Sequence, residues 1–326
     1  MVPTTEITAT RKPHSSRLLK ILFPLAAVVV LVTVFPTAAA HAQQSAQQLV
    51  EAGITAQQAG KSDEALADYK KVIALIPRNA GTFVACGDAY CMLQEYDQAI
   101  ADFSSAIALR PNDADIYIAR GGACFANEQY DGAIADFSSA IELRPSDPIA
   151  YYDRGNLYTI KAEPDLALVD ANKAIKLLPK YADAYTVRGI AYTQKGKNDL
   201  AIADFNEAIK LNPDDERNYT HLANTYRARG FDHWHNNKYT LALIDLTKAS
   251  NVAPEEGYDE LAFGLIYASE GDWVKADSAY TKGLKTASAE IISNNLSDLQ
   301  YALSKNPGSP ALTESLALLK NATPQK

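Results

Sequence analysis

The sequence predicts an all-α chain, an α-solenoid of about seven helix-turn-helix repeats with a C-terminal capping helix. Three observations predict it. Prolines fall at Pro77, Pro111, Pro145, Pro179 and Pro213, each 34 residues after the last, and Pro254 follows after 41. With proline set at repeat position 32, position 20 is alanine in all seven copies and position 8 is glycine in six, with Ala223 in the sixth copy. Positions 4, 7, 8 and 11 of each copy also follow the spacing of one helix face, and positions 20, 24, 27 and 31 a similar spacing on a second helix.

Taken in order, residues 1–42 read as an address. Arg11, Lys12, Arg17 and Lys20 precede the apolar run 21–35, and Ala40-His41-Ala42 closes it in the A-x-A manner of a secretory signal. Cleavage is expected after Ala42. An uncleaved segment would instead hold the chain at the inner membrane, facing the periplasm. The repeats follow at 46–79, 80–113, 114–147, 148–181, 182–215, 216–256 and 257–290. Small residues at positions 8 and 20 let two helix backbones approach, and proline ends the second helix. Neither helix can bury its face alone, so neighbours must stack. Residues 291–326 break the pattern and read as a capping helix, 291–303, and a tail with a short amphipathic segment, 311–319.

These residues resemble the tetratricopeptide repeat family in period and pattern over 46–290. The resemblance implies antiparallel helix pairs wound into a right-handed superhelix, with a concave groove that binds a peptide or helix of a protein partner. It places positions 2, 5, 9, 12 and 13 of each first helix in the groove. The partner-binding candidates are Asp88, Met92, Phe125, Tyr152, Asn156, Thr159, Thr193, Gln194, Thr220, Asn224 and Arg227. Some members clamp a C-terminal carboxylate with lysine or arginine on the first helices. Here only Arg217 and Asn224 fit that pattern, so no such clamp is expected.

Position 7 is arginine at Arg120, Arg154 and Arg188, while position 23 is aspartate in six copies. Partly buried arginines need acceptors, so a ladder of ion pairs between the two helices is expected. The sixth copy is seven residues longer, assigned to 231–237. Phe231 and Trp234 there suggest a docking knob. His221, His233 and His235 are weak metal candidates without an evident fourth ligand. Cys86, Cys91 and Cys124 are badly spaced for bridging and are expected as thiols.

Composition narrows the function. With 31 basic and 39 acidic residues the chain carries a net −8, and −11 without residues 1–42, which argues against nucleic acid as a partner. There is no G-x-S-x-G, no H-E-x-x-H and no phosphate-cradling glycine loop. The sequence therefore reads as a periplasmic or secreted, non-enzymatic interaction scaffold, expected as a monomer without cofactors. A self-assembling structural repeat protein is the alternative, and a metal-binding protein using the three histidines a lesser one.

Overall fold

Asparagine or aspartate recurs just after the repeat prolines and starts the next helix. The side chains of Asn79, Asp113, Asp147 and Asp215 each accept from a backbone N–H two residues on. Such caps satisfy donors that the first helical turn cannot. The computed structural model describes residues 37–75 and 79–322, and these hold sixteen helices and no strand. The expected leader falls mostly outside them, although the first helix begins at Thr37 and crosses the expected Ala42–Gln43 junction. No described helix is long and apolar enough to cross a membrane.

The chain divides after Leu157 into two units. The N-terminal unit contains α1 (Thr37–Gln58), α2 (Ser62–Leu75), α3 (Ala80–Met92), α4 (Tyr96–Leu109), α5 (Ala114–Ala126), α6 (Tyr130–Leu143) and most of α7 (Pro148–Ile160). From α1 to α6 each helix packs on the next, so α3 lies against both α2 and α4. The C-terminal unit contains α8 (Pro164–Leu177), α9 (Ala182–Gln194), α10 (Asn198–Leu211), α11 (Glu216–His235), α12 (Tyr239–Val252), α13 (Tyr258–Glu270) and α14 (Trp273–Gly283). Consecutive packing holds there as well. Two more helices follow, α15 (Ala289–Lys305) and α16 (Pro310–Ala322).

The helix pairs close on small residues. All seven alanines at position 20, from Ala65 to Ala276, are 0% exposed. Opposite them Gly53, Gly87, Gly121, Gly189 and Gly264 meet an aromatic ring: a Cβ built on Gly189 would lie 2.7 Å from Cε1 of Phe205. The turn inside each pair uses one left-handed residue, at Gly60, Gln94, Glu128, Ala162, Gly196, Asn237 and Gly271. Four of these seven are not glycine and hold a conformation that costs roughly 1 kcal/mol for an ordinary side chain.

The sixth pair corrects the sequence assignment. Its extra residues lengthen a helix: α11 has 20 residues where α3, α5, α9 and α13 have 13. They also do not sit at 231–237. Gly230 faces Ala242 and Leu246 of α12, as Gly189 faces Phe205 of α10. Gly230, and not Ala223, is therefore the small residue of this crossing. Seven residues wind two turns less about 20°. The two extra turns, 216–222, consequently extend the start of α11 while its face is kept.

Beyond the repeats, α15 packs on α13 and α16, and α16 folds back on α13 and α14. Leu299, Leu312 and Leu319 are fully buried there. The amphipathic stretch 311–319 is thus part of the C-terminal core.

Candidate functional site

In the N-terminal unit the first helices α3, α5 and α7 carry five of the predicted groove residues. The second helices bury positions 20, 24 and 27, and the first helices keep a partly open face. Asp88, Met92, Phe125, Tyr152 and Asn156 are all half-buried. Met92 Sδ accepts from Gln57 Nε2 at 3.8 Å, and the Phe125 ring lies 6.2 Å from that of Tyr130. Exposed Ile149, and Val84 and Ile118 just beneath, make the wall mainly apolar. Asp88 is part of this wall, and burial pushes its carboxyl up to about 7. Burial likewise pushes the neighbouring Cys86 and Cys91 thiols up to about 12, and none of the three cysteines is in a disulfide.

In the C-terminal unit the predicted residues mostly bond to one another. Gln194 Nε2 donates to the Thr159 carbonyl at 2.7 Å, and Thr159 itself is buried. Thr193 and Thr225 hydroxyls lie 3.3 Å apart, and Thr186 donates to Asn218 at 2.7 Å. Thr220 is exposed and bonds its own helix at Glu216. Arg227 is a correction. It is only 5% exposed, because α13 covers it: Nε and Nη2 grip Asp259 at 2.8 and 3.0 Å, and Nη1 takes exposed Asn224. Its guanidinium also lies over the Tyr258 ring. A side chain so engaged holds the unit together and is not presented to a partner.

The docking knob is likewise corrected. Trp234 is 4% exposed and donates to Ser269 at 2.8 Å, while Phe231 packs edge-on against it and toward Tyr258. Both belong to the core shared with α13 and α15. The three histidines are not brought together. His221 stacks on Phe205, and burial, followed by Arg217, lowers its pKa. His233 lies 3.6 Å from Asp245, and His235 bonds the Phe231 carbonyl. Among the described residues no group of three or more His, Cys, Asp or Glu is placed to hold a metal.

The expected ladder is present. Arg120 holds Asp136 at 2.7 Å and Arg188 holds Asp204 at 2.7 Å, each through two guanidinium nitrogens. Each arginine also reaches the preceding pair, at Ser104 and Asn172, and Arg154 reaches Ser138 in the same way. Arg229 on Asp245 belongs to the series although it was not predicted. The signal was available: Tyr-x-x-Arg-Gly recurs at 117, 151, 185 and 226. In three of these the guanidinium lies over that tyrosine.

Family models for the TPR repeat match residues 87–127 and 121–159, and the tetratricopeptide repeat model matches 182–215. The chain is a tetratricopeptide repeat protein. Solved structures agree on the fold. A tetratricopeptide repeat protein from Parabacteroides merdae is 20% identical, spans 85% of this chain and 100% of its own, and superposes with a TM-score of 0.55. MamA from Desulfovibrio magneticus is 21% identical over 52% of this chain and 97% of its own, with a TM-score of 0.50. A further MamA structure is 28% identical over 53% of this chain and 95% of its own, at 0.49. No curated protein matches the chain. Tetratricopeptide repeat proteins bind protein or peptide partners, and no catalytic family is indicated for this one.

Proposed function

We propose that this tetratricopeptide repeat protein is an exported, non-enzymatic scaffold of the bacterial envelope. It holds a peptide or helix of a protein partner on the first-helix wall of its N-terminal unit. The observation that carries this reading is the contrast between the two units. The C-terminal wall spends its polar groups on internal bonds such as Arg227–Asp259, whereas Asp88, Met92 and Phe125 of the N-terminal wall stay half-buried. A mainly apolar wall on which burial favours the neutral form of Asp88 suits a partner segment of apolar side chains with few charges. The basic start, apolar centre and A-x-A end of residues 1–42 support export. The net −8 supports a partner that is not nucleic acid.

Two measurements test this. Sequencing the N-terminus of protein from the periplasmic fraction should give Gln43 as the first residue, and recovery only from the cytoplasm would refute export. Site-specific photo-crosslinking in envelope extract should capture a partner through position 92, and Phe125→Ala with Tyr152→Ala should abolish it while circular dichroism is unchanged. Capture that survives the double substitution would refute the wall.

A further inference from the structure

The last two helices of the C-terminal unit do not extend the stack as the repeats do. Elsewhere in this unit each first helix lies against the second helix before it: α9 on α8, α11 on α10 and α13 on α12. On α14 that place is taken by α16, while α15 lies against α13 and α16. The helix α15 is thereby set on the face of α13 that the family pattern assigns to the groove. The groove positions of α13 are Tyr258, Leu261, Leu265, Ala268 and Ser269, and of these Leu261, Leu265 and Ala268 are at most 1% exposed. Asn295 Nδ2 of α15 donates to the Leu261 carbonyl at 3.1 Å. Counted from Gly230, the groove positions of α11 include Phe231, Trp234 and His235. The Tyr301 ring of α15 lies 6.0 Å from that of Trp234 and 5.4 Å from that of His235.

The buried residues of α15 are Ile292, Asn295, Leu299 and Ala302, a single face at i, i+3, i+7 and i+10. An amphipathic helix lies in a groove in this way. The helix runs parallel to α13: Ala287 sits at Gly257, Asn295 at Leu261, and Tyr301 at Trp234, which bonds Ser269. Capping the stack does not require this seat, because α16 covers α14 and buries Leu312 and Leu319. The seat is also less well satisfied than the rest of the unit. Asn295 Oδ1 is buried without a hydrogen-bond partner among the described residues, which lowers the gain from docking. Asp298 is half-buried near Tyr258 of α13, Tyr280 of α14 and His235 of α11, and it makes no hydrogen bond among the described residues. Burial raises its carboxyl to about 6, so at neutral pH it is ionised there at a cost to docking.

We propose that α15 is the chain's own groove ligand, and that α11 and α13 form a helix-binding site closed in cis. Its partner is an amphipathic helix of another protein, with apolar side chains at the spacing of Ile292, Leu299 and Ala302 and no carboxylate where Asp298 stands. Such a helix gains what Asp298 denies to α15, and so can compete for the seat. The segments that join α15 to its neighbours, 284–288 and 306–309, are largely exposed, which lets α15 leave while α16 keeps α14 covered. While α15 is seated, a partner's apparent affinity is reduced by the fraction of chains that are open. This site belongs to the C-terminal unit and does not rest on the reading of the N-terminal wall.

Fluorescence anisotropy of a labelled peptide, residues 287–306, with the full chain tests the proposal. Leu299→Ala in the chain weakens its own plug and should raise peptide affinity about tenfold or more over wild type. The same substitution in the peptide should lower affinity about tenfold or more on either protein. Tyr301→Ala in the chain, at an exposed position, should raise peptide affinity roughly threefold. A benzophenone at peptide position 301 should label the Leu299→Ala chain beside Trp234, and labelling confined to the N-terminal unit overturns the proposal. Hydrogen exchange of the unmodified chain gives a readout that no substitution can disturb. Amides of α15 should exchange about tenfold or more faster than those of α13. Exchange of α15 in step with α13 overturns the proposal, as does peptide affinity that neither chain variant changes.

Discussion

Replacing Gly189 by alanine sets two opposed terms against each other, and the structure decides between them. Alanine is favoured over glycine in a helix interior by roughly 1 kcal/mol. Against this, the added Cβ would stand 2.7, 2.9 and 3.0 Å from Cε1, Cζ and Cδ1 of Phe205. That ring is 1% exposed and held by Ala201, Ile202 and Leu222, so it cannot swing aside. Overpacking of this kind costs typically 1–3 kcal/mol. The net expectation for Gly189→Ala is a loss of about 1 kcal/mol. The same change at Gly230 meets Leu246 Cγ at 3.4 Å and the Ala242 carbonyl at 3.3 Å, and leucine can adjust, so the two terms nearly cancel. At exposed Gly132 the new Cβ finds only Cys124, at 3.6 Å, and the helix term should win by roughly 0.5 kcal/mol. Urea unfolding followed by circular dichroism gives the order Gly132→Ala, wild type, Gly230→Ala, Gly189→Ala from most to least stable. Adding Phe205→Leu to Gly189→Ala should show coupling of about 1 kcal/mol. A Gly189→Ala protein at least as stable as wild type would refute the steric account, and so would an absence of coupling to Phe205.

Other consequences follow from particular groups. Burial raises Asp88 from its ordinary range to about 7, so the folded state binds this proton more tightly than the unfolded one. Its contribution is fully present below about pH 4 and lost as pH rises through about 7. Asp88→Asn should therefore flatten the fall in stability between these limits and gain most above neutrality, as pH-dependent urea midpoints would show. Ala162→Gly relieves a left-handed residue at φ 55° and should raise stability by about 1 kcal/mol by thermal unfolding. Arg227→Met leaves buried Asp259 without its counter-charge and should cost roughly 3–5 kcal/mol, whereas replacing both together costs much less. A double-mutant cycle at these two positions reads the difference directly.

Much of the fold was legible in the sequence because it rests on residues with one job each. The proline at 111 or 145 can only stop a helix, and alanine at 99 or 133 can only sit where backbones crowd. The Arg120–Asp136 and Arg188–Asp204 pairs were legible from two columns sharing a register. The sixth pair was not, because the prolines mark where a pair ends and say nothing about where seven added residues lie within it. Its turn residue is Asn237, in the left-handed place that Gly196 and Gly271 fill in the neighbouring pairs. The shift is by whole turns, so the old and new registers both put apolar residues on the same face. Burial of Arg227 and Trp234 was illegible for a different reason. Their sequence positions lie on the groove side, and only the packing of α13 and α15 seals them.

The arginine–aspartate pairs bear on how such a chain could change length. Arg120 and Asp136, or Arg188 and Asp204, both belong to a single helix pair, and the link to the preceding pair is one bond to serine or asparagine. Deleting or duplicating a whole 34-residue block therefore moves each buried charge together with its counter-charge. Recombination between such blocks would keep the Arg120–Asp136 and Arg188–Asp204 pairs together. The junction of the sixth and seventh pairs is built differently, since Arg227 on one finds Asp259 on the other. A crossover there would strand a charge in the core, so the last two pairs and the two helices after them are expected to be inherited as one piece.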